Sequence, residues 1–262
     1  MLTVWCIALA ITRAVLSFLA TALHFGNNER MADNAPTTAR ARVRAEMTAE
    51  ILNVARSQLA EVGAAALSMR AITRELGMAS SAIYRYFPSR DALITQLIID
   101  AYNSIGEAAE HAEQTVERGD LKLRFTTVGR AVRDWALRNP HEYMLIYGTP
   151  IPGYEAPEDT IVPATRVSTL LLTVGIEAAI DPTRTGSGVI DMPDSVRADL
   201  EETSVRLGMG LPAPTLMLGL MSWSLIIGTI SHEMYGHFNN VVDDNAAYFD
   251  HMLTITAQQL GL

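Results

Sequence analysis

The segment from Ser68 to Arg90, SMRAITRELGMASSAIYRYFPSR, constrains this chain more than any other stretch. Ser68 is placed to cap a helix beginning at Met69. Ile72 and Leu76 are four apart and share a face, and Gly77 follows where a left-handed residue ends a helix. A second helix is expected from Ser80, its cap. Ile83 and Phe87 would face the core, with Ser80, Ser81, Tyr84 and Arg85 on the opposite side. Pro88 stops that helix, and Ser89 can cap the next. This is the layout of a helix-turn-helix, whose second helix lies in the DNA major groove. Small side chains permit close approach, while hydroxyls and a cation reach phosphates and base edges. Arg90, in the first turn of the following helix, opposes the helix dipole, a placement that makes sense beside a phosphate.

Upstream, Glu46 to Val62 is helical by pattern, with Ile51, Leu52, Ala55, Leu59 and Val62 on one face and Gly63 closing it. Three helices thus wrap a small core, and a fourth leads away from Asp91 through Leu93, Leu97 and Tyr102. The pieces ILNVARSQLAEVG, LGMASSAIYRYFPSR and DALI, in this order and spacing, resemble the N-terminal domain of TetR-type repressors. The resemblance implies DNA contacts by Arg70, Ser80, Ser81, Tyr84, Tyr86 and Arg90. Arg90 stands where the family usually has lysine, and keeps the charge. Ala82 stands where many members have threonine, which shifts readout toward apolar contact such as a thymine methyl.

Charge is distributed unevenly. Residues 38–90 hold eight Arg against four Glu, a net +4, and residues 1–37 balance. The chain as a whole carries −9, so −13 falls on residues 91–262. A basic head on an acidic body excludes a general nucleic-acid binder and leaves only the head suited to phosphate. A single cysteine, Cys6, excludes an internal disulfide framework and fits a reducing, cytoplasmic setting.

Residues 1–30 form an apolar N-terminal extension. By length, Met1 to Phe25 could span a bilayer, but Arg13 near its middle is costly there. The preferred expectation is that translation starts near Met31 and that residues 1–30 are an upstream-start artefact. The alternatives are a membrane-tethered regulator using residues 1–25 and an extra packing helix. Residues 31–44 read as a basic flexible arm, residues 45–90 as the helix-turn-helix domain and residues 91–262 as the body.

The body is helical by pattern throughout, with breaks at Gly119, Asn139-Pro140, Pro150 to Pro157, Asp181 to Pro193 and Leu211 to Pro214. The fold class is therefore all-α, and the TetR resemblance implies a three-helix DNA-binding domain followed by a helical ligand-binding and dimerisation domain. Two stretches, RNPHEYMLIYGTPIPGYEAP and MLGLMSWSLIIGTISHEMYGHF, resemble the C-terminal domain of a TetR subgroup named WHG. Trp223 and Gly228 match and Gly236-His237-Phe238 continues the pattern, but Ile227 stands where that subgroup has histidine. The resemblance implies a repressor released from a palindromic operator by a small apolar ligand. It also implies a homodimer formed through the last two long helices. Trp135, Tyr143, Met144, Tyr147, Met217, Met221 and Trp223 suit an apolar, adaptable pocket. His232 and Glu233 are expected at the dimer interface or pocket rim. His232 and His237 are five apart, off the spacing that places two metal ligands on one helix face, so neither metal nor cofactor is expected. A helical enzyme lacks a positioned nucleophile or cofactor loop in the sequence.

Overall fold

The structure is a computed structural model that describes residues 38–180, 191–206 and 210–262. The expectations for the N-terminal extension and the first part of the arm fall on residues 1–37, outside those described. Among the described residues every regular element is helical. Nine α-helices follow one another among these described residues: α1 Ala39–Val62, α2 Met69–Glu75, α3 Arg90–Gln114, α4 Leu121–Arg138, α5 Pro140–Tyr147, α6 Ile161–Ile180, α7 Asp194–Arg206, α8 Ala213–Met234 and α9 Asn245–Gln259. Short 3-10 turns lie at Ala64–Ala66, Ile83–Arg85 and Glu158–Thr160.

Two compact units divide the chain. One, the head, holds residues 38–101 with 139–160, and the other, the body, holds 102–138 with the described residues from 161 onward. The division expected at Arg90 is displaced. The first part of α3 contributes Leu93, Ile94, Leu97 and Ile98 to the buried set of the head, and α5 packs on α1. A long amphipathic helix can serve two cores in succession, which periodicity alone does not reveal.

In the head, α1 buries Ile51, Leu52, Ala55 and Leu59, as its spacing predicts. Val62, grouped with that face by spacing, is exposed at the last position before Gly63. The helix also starts earlier than expected. Thr38 caps it by accepting a hydrogen bond from the Ala41 amide at 3.1 Å, so Arg40, Arg42 and Arg44 are helical rather than part of a flexible arm.

In the body, α4 is the hub and packs on α6, α8 and α9. Its buried face carries Leu121, Phe125, Val128, Val132, Trp135 and Ala136. Gly129 lets α9 approach: a Cβ there would lie 2.5 Å from Leu253 Cδ2. A separate apolar cluster of Met192, Leu200, Leu211, Ala213 and Leu216 joins α7 to α8, with Leu172, Ile176 and Met217 packed against it. Helix α8 and the segment Glu158–Ala178, most of it in α6, are long and apolar enough to cross a membrane by length and composition, a test that core helices also pass.

Candidate nucleic-acid interface

The turn in the helix-turn-helix forms as its residues dictate. The Ser68 hydroxyl accepts from the Ala71 amide, and Gly77 takes φ +63°, a conformation that strains a residue with a Cβ. The next segment departs from expectation. Residues 79–87 form tight turns around the 3-10 stretch Ile83–Arg85 rather than a regular α-helix. Amides of Ala82, Arg85 and Tyr86 donate to carbonyls three residues back, and Phe87 donates to Ile83 four back. A segment this short, between Gly77 and Pro88, has little room to propagate a helix, and i to i+3 bonds satisfy its backbone instead.

The side-chain arrangement follows the expected division. Ile83 and Phe87 are buried, whereas Arg70, Ser80, Ser81, Tyr84 and Arg85 are exposed. Tyr84 is 53% exposed, unusual for a side chain placed only for packing. Tyr86 is half-buried. Arg44 reaches it from α1, its guanidinium carbon 5.3 Å from the ring centroid, while Nη2 donates to the Arg85 carbonyl at 2.9 Å. That contact spans 41 residues and was invisible to local pattern.

Arg90 is the clearest surprise. Its Nε donates to the Leu67 carbonyl at 3.0 Å, and its Nη2 donates to the carbonyls of Ala64 and Ala65 at 2.6 and 2.9 Å. The cation in the first turn of α3 is thus surrounded by carbonyl oxygens of the turn between α1 and α2. Ser89 meanwhile caps α3 through the Ala92 amide.

The residues expected to line an effector pocket divide between the units. In the head, Tyr143 is fully buried, with its ring centroid 5.1 Å from that of Tyr147, and Met144 is 47% exposed. In the body, Trp135 is buried and its indole N–H donates to Ser104 Oγ at 2.9 Å. Met217 packs against the α7–α8 cluster and Trp223 is half-buried. Met221 lies on an exposed stripe with Leu225 on α8, and Tyr248, His251 and Ile255 are exposed at helical spacing on α9.

Sequence reading missed the arginines that hold the body. Arg133 on α4 makes a bidentate pair with Glu233 on α8, Nε to Oε2 2.7 Å and Nη2 to Oε1 2.6 Å, both side chains being mostly buried. Glu233, expected at an interface or rim, thus has a structural partner within the body. The hydrogen bonds to Glu233 raise the Arg133 pKa above its ordinary value, against the opposing pull of burial. Arg166 on α6 is held likewise by Glu110 on α3, and also donates to Asn103. Among the described residues no group of three or more His, Cys, Asp or Glu is placed to hold a metal ion. His232 and His237 instead meet edge to face, with centroids 5.3 Å apart.

Comparison with known proteins finds matches for both the helix-turn-helix segment and the helical body. Residues 51–97 match the family described as bacterial regulatory proteins, tetR family. Residues 125–256 match the tetracyclin repressor-like C-terminal domain. The chain is 35% identical over 218 residues to the HTH-type transcriptional regulators Mb1846 of Mycobacterium bovis and Rv1816 of Mycobacterium tuberculosis, covering 79% of this chain and 89% of each relative. The crystal structure of the regulatory protein SCO4313 superposes with a TM-score of 0.70 at 34% identity, covering 84% of this chain and 98% of that one. The chain belongs to the TetR family of transcriptional regulators, which bind DNA as dimers and are not enzymes.

Proposed function

We infer that the chain is a cytoplasmic, ligand-responsive repressor that binds a palindromic operator as a homodimer. The observation that carries this reading is the exposed set of Arg70 on α2 with Ser80, Ser81 and Tyr84 on the turn-rich segment that follows, all within the basic stretch 38–90. Hydroxyls, an aromatic edge and a cation at that site read bases and phosphates, with Tyr86 at the margin of the same surface. The acidic body is repelled by DNA, which orients docking through the head.

The dimer forms through the exposed apolar stripe of Met221 and Leu225 on α8 and Tyr248 and Ile255 on α9. Two such helices from each copy make a four-helix interface related by a two-fold axis. Two heads then address half-sites roughly 34–36 Å apart on one face of the duplex. A small apolar effector held in the body, with Met217 and Trp223 among its contacts, favours a state that no longer fits that spacing. Such control requires a difference in effector affinity between the two states.

The test is fluorescence anisotropy with a duplex carrying the intergenic sequence upstream of the gene, compared with a scrambled duplex. Specific binding should weaken steeply with salt. Tyr84→Ala and Ser81→Ala should each lose roughly 1–3 kcal/mol on the specific duplex only. Equal affinity of the wild-type protein for both duplexes would remove the reading. Mass spectrometry of molecules released from the purified protein addresses the effector.

A further inference from the structure

We propose that Arg90 is a positioning residue for DNA recognition rather than a phosphate ligand: it sets the start of α2, and thereby the place of Arg70. This rests on the family's DNA binding and on Arg70 as a contact. The turn between α1 and α2 is weakly held by its own backbone. Ala66 and Leu67 donate within it at 3.3 and 3.4 Å, at the long end for hydrogen bonds. Its carbonyls at Ala64, Ala65 and Leu67 converge on one guanidinium. Three donor hydrogens leaving two nitrogens of a planar fork meet three oxygens, a geometry that a lysine ammonium, with all its donors on one atom, does not reproduce.

The bonded carbonyl of Leu67 immediately precedes Ser68. The Ser68 amide donates to Gln58 Oε1 at 3.2 Å, and its hydroxyl caps α2. The first turn of α2 is therefore referenced to α3 through Arg90 and to α1 through Gln58, and Arg70 projects from that first turn into solvent. The remaining nitrogen of Arg90, Nη1, lies 3.8 Å from Asp91 Oδ1. A carboxylate at this place disfavours an approaching phosphate. A cation in the first turn of a helix, unfavourable by the helix dipole, is balanced by the negative ends of three peptide dipoles.

The experiment uses the full chain and a duplex selected by the wild-type protein from a randomised pool, with a scrambled duplex as the non-specific probe. Wild type, Arg90→Lys, Arg90→Gln and Arg70→Ala are titrated over a range of salt, at a temperature where circular dichroism shows each variant folded. Arg90→Lys should weaken the selected complex roughly tenfold, the scale of one lost base contact, and leave the scrambled complex and both salt slopes unchanged. Arg70→Ala should cost less in the Arg90→Lys background than in wild type, because the two residues act in series. Full activity of Arg90→Lys overturns the proposal, since charge alone would then suffice. A fall in the salt slope by about one on both duplexes with Arg90→Gln overturns it in favour of a phosphate contact. Should Arg90→Gln fail to fold, Arg90→Lys still decides. A lowered unfolding temperature with an unchanged preference for the selected duplex overturns it in favour of a stability role alone. Failure of the wild-type protein to select any sequence would count against operator recognition itself, a result separate from those of the variants.

Discussion

Arg124 and Glu113 form an ion pair inside the body, Nε to Oε1 at 2.6 Å, with side chains 1% and 3% exposed. Arg124 also donates to Glu177 on α6 and to the Arg118 carbonyl, and Arg118 makes a second pair with Glu113. One guanidinium on α4 thus ties the end of α3 to α6. Burial pulls its pKa down, but the bonds to Glu177 and Glu113 outweigh that and leave it raised. Arg124→Met should cost about 3–5 kcal/mol, because buried Glu113 loses its buried partner and keeps only the exposed Arg118. Arg124→Met with Glu113→Leu should recover part of that loss. Urea unfolding at fixed protein concentration measures both, and a double variant no more stable than the single one would contradict the pair's role.

Arg44 braces the segment proposed to read DNA. Held mainly by i to i+3 bonds, residues 79–87 gain a strap where Arg44 bonds the Arg85 carbonyl and covers Tyr86. Arg44→Ala should destabilise the head by about 1–2 kcal/mol, the sum of a hydrogen bond and an exposed cation–π contact. Amide hydrogen exchange should quicken at Tyr86 and Phe87 more than at Ile51 or Leu52. Uniform change across the head would refute a local strap.

Dimer assembly is expected to fail when charge enters the exposed stripe. Leu225→Glu, at a position 44% exposed, leaves the monomer core intact but places carboxylates at the interface proposed for α8 and α9. Sedimentation should report monomer with unchanged helical content, and operator affinity should fall because the two heads are no longer linked. A dimer that survives this change would place the interface elsewhere.

Tyr154 offers a pH readout in the head. Burial pushes its phenol up from the ordinary value near 10, while its hydrogen bond with Thr95, at 2.9 Å, pulls the other way. A raised acid favours the neutral form in the folded state. The stabilisation is therefore present below the unfolded pKa and lost as pH rises through the folded one. Among the eight tyrosines, Tyr154 should ionise late in a phenolate absorbance titration, and Tyr154→Phe should remove that late step. Superimposable curves would contradict its burial.

Much was legible before any coordinates. Helical spacing correctly assigned Ile51 and Ile72 to the core, because burial of one face imposes that period, and Ile83 and Phe87 are buried as expected although their segment is not a regular α-helix. The helix breaks in the body also stand near Asn139-Pro140 and Leu211 to Pro214, where proline and loop chemistry act locally. The pocket residues were less legible. Periodicity groups Met217 and Met221 as apolar side chains of one helix, yet one packs against a buried cluster and the other is half exposed.

By itself, then, the sequence determined the order of helices, the helix-turn-helix and the basic head on an acidic body, since propensity, caps and charge are properties of near neighbours. Only the tertiary structure decided what the arginines do. Arg90 finds carbonyls 23 to 26 residues away, Arg44 a carbonyl 41 away, and Arg133 a carboxylate 100 away. A long cation reads as a free charge along the chain, and becomes a brace or a contact only when folding chooses which oxygens surround it.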